Sequence, residues 1–187
     1  MKARVVLAQI APALGDLDRN LKIHLDEIRR AIRAGADLIV FPELSLTGYL
    51  LQDLVADCAQ PLTGSHYIDR LAKASRDIAI VAGFVEQGPG LTFHNSSACF
   101  MKGAIAHLHR KVYLPTYGMF DEGRYFAPGE MFRTFKAPWG RSPDDLMLLY
   151  TGGTTGMPKG VMWRQDDLFN VIGAGGNALQ GVPPLTS

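Results

Sequence analysis

Residues Asp37 to Glu43 read DLIVFPE, an apolar run closed by a proline and a carboxylate. A short run of this kind predicts a strand covered on both faces, as in a parallel sheet under helices. Upstream, Leu21, Leu25, Ile28 and Ile32 recur at helical spacing. They predict a helix over about 20–33, with Gly35 placed to end it. Before that helix, Arg4 to Ile10 reads as another buried strand. The opening MKARVVLAQIAPALGD faintly mimics a signal peptide, but Gln9 and Pro12 interrupt the apolar run, so the strand reading is kept. Downstream, a helix is expected from about Tyr67 to Asp77 with Ser65 as N-cap. Strands are then expected at Ile78 to Glu86, Phe93 to Met101 and Ala104 to Leu114. The order β-α-β-α-β-β-β predicts an α/β layered fold.

The chain has 187 residues, 47% hydrophobic and 20% charged, with a net charge of +1. That balance gives no electrostatic case for nucleic acid or an anionic membrane, and no stretch is apolar enough to span a bilayer. Cys58 and Cys99 form neither a CxxC nor a zinc spacing, so a reduced, cytoplasmic protein is expected. Asn95-Ser96-Ser97 matches a glycosylation sequon, without consequence unless the chain is secreted.

Glu43, at the end of a dry strand, sits where α/β folds place functional groups. Desolvation there raises a carboxyl pKa towards that of a general base. A strand-end carboxylate turned to solvent fits the position equally. In HLHRKVYL, alternation puts His107, His109, Lys111 and Tyr113 on one face. An inward Lys111 suits an oxyanion; a solvated edge lysine is the alternative. The His-x-His pair lacks a third ligand, so no metal is expected.

FPELSLTGY, HRKVYLPTYGMFDEGRYFAPG and FRTFKAPWGR occur in that order over residues 3–141, and together they resemble the nitrilase superfamily of carbon–nitrogen hydrolases, in particular its amidase and glutaminase-like branches. The resemblance implies an αββα sandwich and a homo-oligomer. It also implies a Glu–Lys–Cys triad hydrolysing a small amide or nitrile without a cofactor. By that resemblance Glu43 is the general base, Lys111 the oxyanion-stabilising lysine and Glu122 the glutamate that orients them. The family's cysteine follows Trp-Gly-Arg. Here Trp139-Gly140-Arg141 leads into SPDDLMLLYT, and no cysteine follows Cys99. Thr151 is the one stand-in at the nucleophile position, although its hydroxyl needs strong activation.

From Asp144 the chain reads DDLMLLYTGGTTGMPKGVMWRQDDLF. Glycines let backbone N–H groups converge on an anion, threonines add donors, and Lys159 adds charge. This stretch resembles the phosphate loop of AMP-forming acyl-CoA synthetases. The resemblance implies phosphate binding by Thr151, Gly152, Gly153, Thr154, Thr155, Gly156 and Lys159, with ATP and Mg²⁺ as cofactors if the loop retains binding. The groups that complete such a ligase are not in the sequence. Gly173 to Ala178 fits a loose GxGxxA pattern, but no strand and acidic residue follow it at the required distance.

Two domains are therefore expected: residues 1–141, the N-terminal part of a hydrolase, and 142–187, a synthetase fragment. The expected fold is an incomplete αββα sandwich with a strand-loop-strand-helix appendage. Its strands are Leu146 to Thr151 and Val161 to Trp163, and its helix Asp166 to Ile172. A further strand is expected at Phe132 to Trp139. An incomplete sandwich leaves open edges and an uncovered apolar layer. Leu146 to Thr151 is a candidate to dock as a substitute strand. By lineage the function is carbon–nitrogen hydrolysis, inactive without the cysteine. The alternatives are a remnant phosphate-binding loop and a non-catalytic product of gene fusion or sequence assembly.

Overall fold

The computed structural model describes residues 3–116, 121–130, 135, 146–151 and 159–164. They fall in two compact units, one within Lys2–Phe135 and the other within Lys136–Ser187.

The first unit is built on one five-stranded sheet. Its strands β1 (Val5–Leu7), β2 (Leu38–Val40), β3 (Ala79–Gln87), β4 (Phe93–Met101) and β5 (Ala104–Arg110) lie side by side in chain order. The first three are parallel, because helices α1 (Leu17–Arg33) and α3 (His66–Ala74) carry the chain back between them. From β3 onward the connections are hairpins and the pairing is antiparallel. Lys102 and Gly103 take the two left-handed positions of the β4–β5 turn, at φ 53° and 85°. Two short helices, α2 (Val55–Cys58) and α4 (Glu122–Tyr125), complete the unit. This is the mixed α/β fold that the order of elements predicted.

Most boundaries fall within three residues of expectation, and β4 matches residue for residue. One difference matters. The strand expected through Glu43 ends at Val40, and Phe41 makes one more sheet bond, to the Val81 carbonyl at 2.8 Å. Glu43 therefore sits beyond the strand, in a turn over 43–47.

The main core lies between one sheet face and the helices. Ile80, Ala82 and Phe84 of β3 with Ala98 and Phe100 of β4 pack against Leu21, Ile28 and Ala31 of α1 and Ile68 and Leu71 of α3. A second cluster holds Leu44, Leu51, Val55, Cys58, Val85 and Phe126. On the edge strand β1, Val5 and Leu7 are each 45% exposed. No helix among the described residues is long and apolar enough to cross a membrane.

The second unit contributes a separate antiparallel pair, β6 (Leu146–Thr151) and β7 (Lys159–Arg164). β6 takes its partner from β7, a few residues away, where closing a short loop costs little entropy. Thr151 and Lys159, the two ends of the phosphate-loop signature, face each other in that register. The loop residues Gly152, Gly153, Thr154, Thr155 and Gly156 lie outside the described residues, as does the helix expected at Asp166 to Ile172. Of the strand expected at Phe132 to Trp139 only Phe135 is described, and it is not in a strand.

Gly83 carries a constraint that reaches beyond the sheet. A Cβ placed there would lie 2.5 Å from the backbone nitrogen of Leu44 and 3.1 Å from the carbonyl carbon of Glu43. Gly83→Ala should therefore lower stability by roughly 3 kcal/mol, because backbone and not a flexible side chain must give way. Urea denaturation of parent and variant measures this; a loss within experimental error would show that the turn moves freely.

Candidate active site

Glu43 and Lys111 come from elements that are not neighbours. Glu43 follows β2 and Lys111 follows β5, with β3 and β4 between them. The 43–47 turn bridges that gap by crossing the sheet face at Gly83. It is held by Leu46 N–H donating to the Gly83 carbonyl at 3.0 Å and by Gly48 N–H donating to the Leu44 carbonyl at 2.7 Å. Leu44 has φ 48°, a left-handed conformation that costs a residue with a side chain of order 1 kcal/mol, and it is fully buried.

Lys111 continues the β5 register, its N–H donating to the Asn95 carbonyl at 2.8 Å. Its Nζ donates to Glu43 Oε1 at 2.8 Å and to Glu122 Oε1 at 2.9 Å. The structure thus brings together Glu43, Lys111 and Glu122. Burial works against the charged ammonium, but the two carboxylates more than offset it and the Lys111 pKa is raised. The lysine is a held cation rather than a base.

Glu122 opens α4, which backbone bonds tie to the segment after β5 and to β4. Its N–H donates to the Pro115 carbonyl at 3.1 Å, Ala127 N–H to Phe93 at 2.8 Å, and Gly129 N–H to Lys111 at 2.8 Å. The Glu122 side chain is 6% exposed, against 28% for Glu43 and 30% for Lys111. Its Oε2 is buried without a hydrogen-bond partner among the described residues.

Two further residues were not singled out from the sequence. Asn95 Nδ2 donates to Glu43 Oε1 at 2.6 Å, and the Tyr49 hydroxyl donates to Glu122 Oε1. Asn95 was legible only as the first residue of a sequon, yet it is buried at 5% exposure, where no glycan fits. The signal that finds it is alternation along β4, which puts Asn95 on the face towards Glu43. Tyr49 closes the FPELSLTGY stretch, six positions after Glu43, and only the turn reveals where it points.

The cysteines are enclosed in the core. Both are buried and unpaired. Burial pushes the Cys99 thiol up to about 11 and raises that of Cys58, so neither is a ready thiolate. Cys99 also lies four residues along β4 from Asn95, roughly 13 Å away at the usual strand rise. His107 stacks on Phe135 at 4.6 Å between ring centroids. Among the described residues no group of three or more His, Cys, Asp and Glu converges as a metal site. Thr151 and Lys159 belong to the second unit.

A five-stranded sheet layered with helices thus carries Glu43, Lys111 and Glu122 in one ion-paired cluster. The Carbon-nitrogen hydrolase family profile matches residues 4–148, and the chain belongs to that family. It is 39% identical over 131 residues to a glutamine-dependent NAD(+) synthetase of Thermotoga maritima, covering 69% of this chain and 22% of that protein. The solved structure of glutamine-dependent NAD+ synthetase from Acinetobacter baumannii, in complex with ADP, superposes with a TM-score of 0.61 at 35% identity, covering 73% of this chain and 26% of that one. The chain thus spans about a quarter of these relatives' length. A separate stretch of 41 residues is 63% identical to medium-chain acyl-CoA ligase Mig of Mycobacterium avium, covering 22% of this chain and 8% of that protein.

Behind the 43–47 turn lies His24 of α1, fully buried, its Nε2 2.9 Å from Ser45 Oγ. Burial lowers its pKa from 6.5 to about 4, although its bond to the Asn20 carbonyl acts the other way. Below pH 6.5 the unfolded chain takes up a proton that the folded chain refuses. Stability is therefore fully present above that pH and falls as acid is added, by about 3 kcal/mol once pH 4 is reached. Denaturation of parent and His24→Leu across this range checks the sign: the parent should lose more than the variant, and parallel curves would refute it.

Proposed function

We propose that residues 1–141 are the N-terminal part of a carbon–nitrogen hydrolase domain whose site accepts a primary carboxamide of the glutamine type. The observation that carries this reading is Lys111 Nζ shared between Glu43 Oε1 and Glu122 Oε1, at 2.8 and 2.9 Å. The names of the synthetase relatives support glutamine as the amide.

In the complete reaction a thiol gives its proton to Glu43 and its sulfur attacks the amide carbon. Lys111 stabilises the oxyanion, the C–N bond breaks, and the proton held by Glu43 leaves with ammonia. Water then cleaves the thioester. This chain holds the groups that manage charge and proton but no accessible thiol, so as it stands it binds the amide without cleaving it.

Calorimetric titration of the intact chain with L-glutamine tests the reading. Saturable binding that Lys111→Ala abolishes, with no ammonia above buffer, is the expected result. Absence of binding to the parent would remove it. Thr151→Cys addresses the nucleophile: ammonia release gained by that variant would assign the attacking position to residue 151, and no gain removes the stand-in.

A second reading concerns residues 142–187 and rests on the 63% identity to an acyl-CoA ligase over 41 residues. In this reading the segment is a ligase fragment whose loop, flanked by the paired Thr151 and Lys159, binds phosphate without ligation. Weak ATP binding that Lys159→Ala removes is expected in a filter-binding or fluorescence assay; equal retention by both chains would rule it out.

A further inference from the structure

Two polar residues stand in the buried face of α1, where the sequence pattern calls for apolar ones. Asn20 and His24 are both 0% exposed. A buried amide and a buried imidazole are costly unless each polar atom is partnered, and here each is. Asn20 Oδ1 accepts from Ala13 N–H at 2.8 Å, and its Nδ2 donates to the carbonyls of Ala13 at 2.7 Å and Leu46 at 3.0 Å. His24 Nδ1 lies 2.7 Å from the Asn20 carbonyl, which only accepts, so Nδ1 carries the ring proton. Nε2 is then the acceptor, and Ser45 Oγ–H donates to it. The ring lies against Phe41, with centroids 4.2 Å apart.

Three of these partners, Phe41, Ser45 and Leu46, flank Glu43. Phe41 precedes it by two residues, Ser45 follows by two, and Leu46 by three. We infer that Asn20 and His24 are positioning residues of the hydrolase site, fixing the 43–47 turn so that Glu43 reaches Lys111 across the sheet. Packing alone would not hold that geometry, since the turn contains the left-handed Leu44 and must pass Gly83 at van der Waals distance. Directional bonds from a long helix choose one turn conformation where apolar contacts would accept several. The inference rests on the proposed site, in that Glu43 and Lys111 are taken as its working pair.

The test reads Lys111 itself. In ¹⁵N-labelled intact chain, an ammonium held by two carboxylates gives a Nζ–H cross-peak near neutral pH, where solvated lysines exchange too fast to be seen; Lys111→Arg assigns it by removal. His24→Leu and Ser45→Ala should each abolish the peak while circular dichroism shows the sheet and helices intact. His24→Gln, which can still accept from Ser45, should restore most of it. Persistence of the peak in both variants, with only a lower melting temperature, would reduce the pair to a structural role and overturn the inference. Should His24→Leu fail to fold, Ser45→Ala decides alone, since it removes a single oxygen. Failure of glutamine binding in the parent, with the cross-peak still dependent on Ser45, would sink the proposed function and leave the positioning role standing.

Discussion

The peptide joining Glu43 to Leu44 lies directly on strand β3, and only the missing side chain of Gly83 leaves it room. That contact decides where the site is. β2 and β5 are separated by three strand spacings, roughly 14 Å, too far for a glutamate and a lysine anchored on their own strands to meet. Crossing the sheet face closes the distance. The left-handed Leu44, the Leu46–Gly83 bond and the polar face of α1 all follow from holding the chain on that crossing.

Around the crossing, electrostatics does the rest. One ammonium faces two carboxylates, so the cluster carries an excess negative charge in a half-buried place. Neutral donors spread that charge, Asn95 onto Glu43 and Tyr49 onto Glu122. Partial enclosure lets these bonds act at a lower effective dielectric than at an open surface. The arrangement suits chemistry in which charge develops on a substrate oxygen while a proton passes through a carboxylate.

The sheet was largely legible because apolar runs and period-3.6 patterns report burial: β3 and β4 are buried along nearly their whole length, and both long helices bury one face. Pattern reading failed where polarity is buried or elements are short. The stripe chosen for α1 included Ile32, which is 39% exposed, and left out Asn20 and His24, which are not exposed at all. Apolar periodicity cannot register a core position whose purpose is a hydrogen bond. The four-residue helices α2 and α4 are too short to show any period. Glu43, Lys111 and Glu122 were reached through motif resemblance, and their convergence needed the fold. Asn95 and Tyr49 were missed because their partners lie 52 and 73 positions away in the chain.

The two buried thiols have a practical meaning for the chemistry of the whole molecule. With Cys58 and Cys99 enclosed and their ionisation suppressed, oxidants and alkylating agents find little thiolate on the folded chain. Thiol reagents thus become reporters of unfolding, since modification of either cysteine requires the enclosing core to open. A cysteine introduced on the exterior would be labelled alone, making the native chain a clean background for site-specific probes.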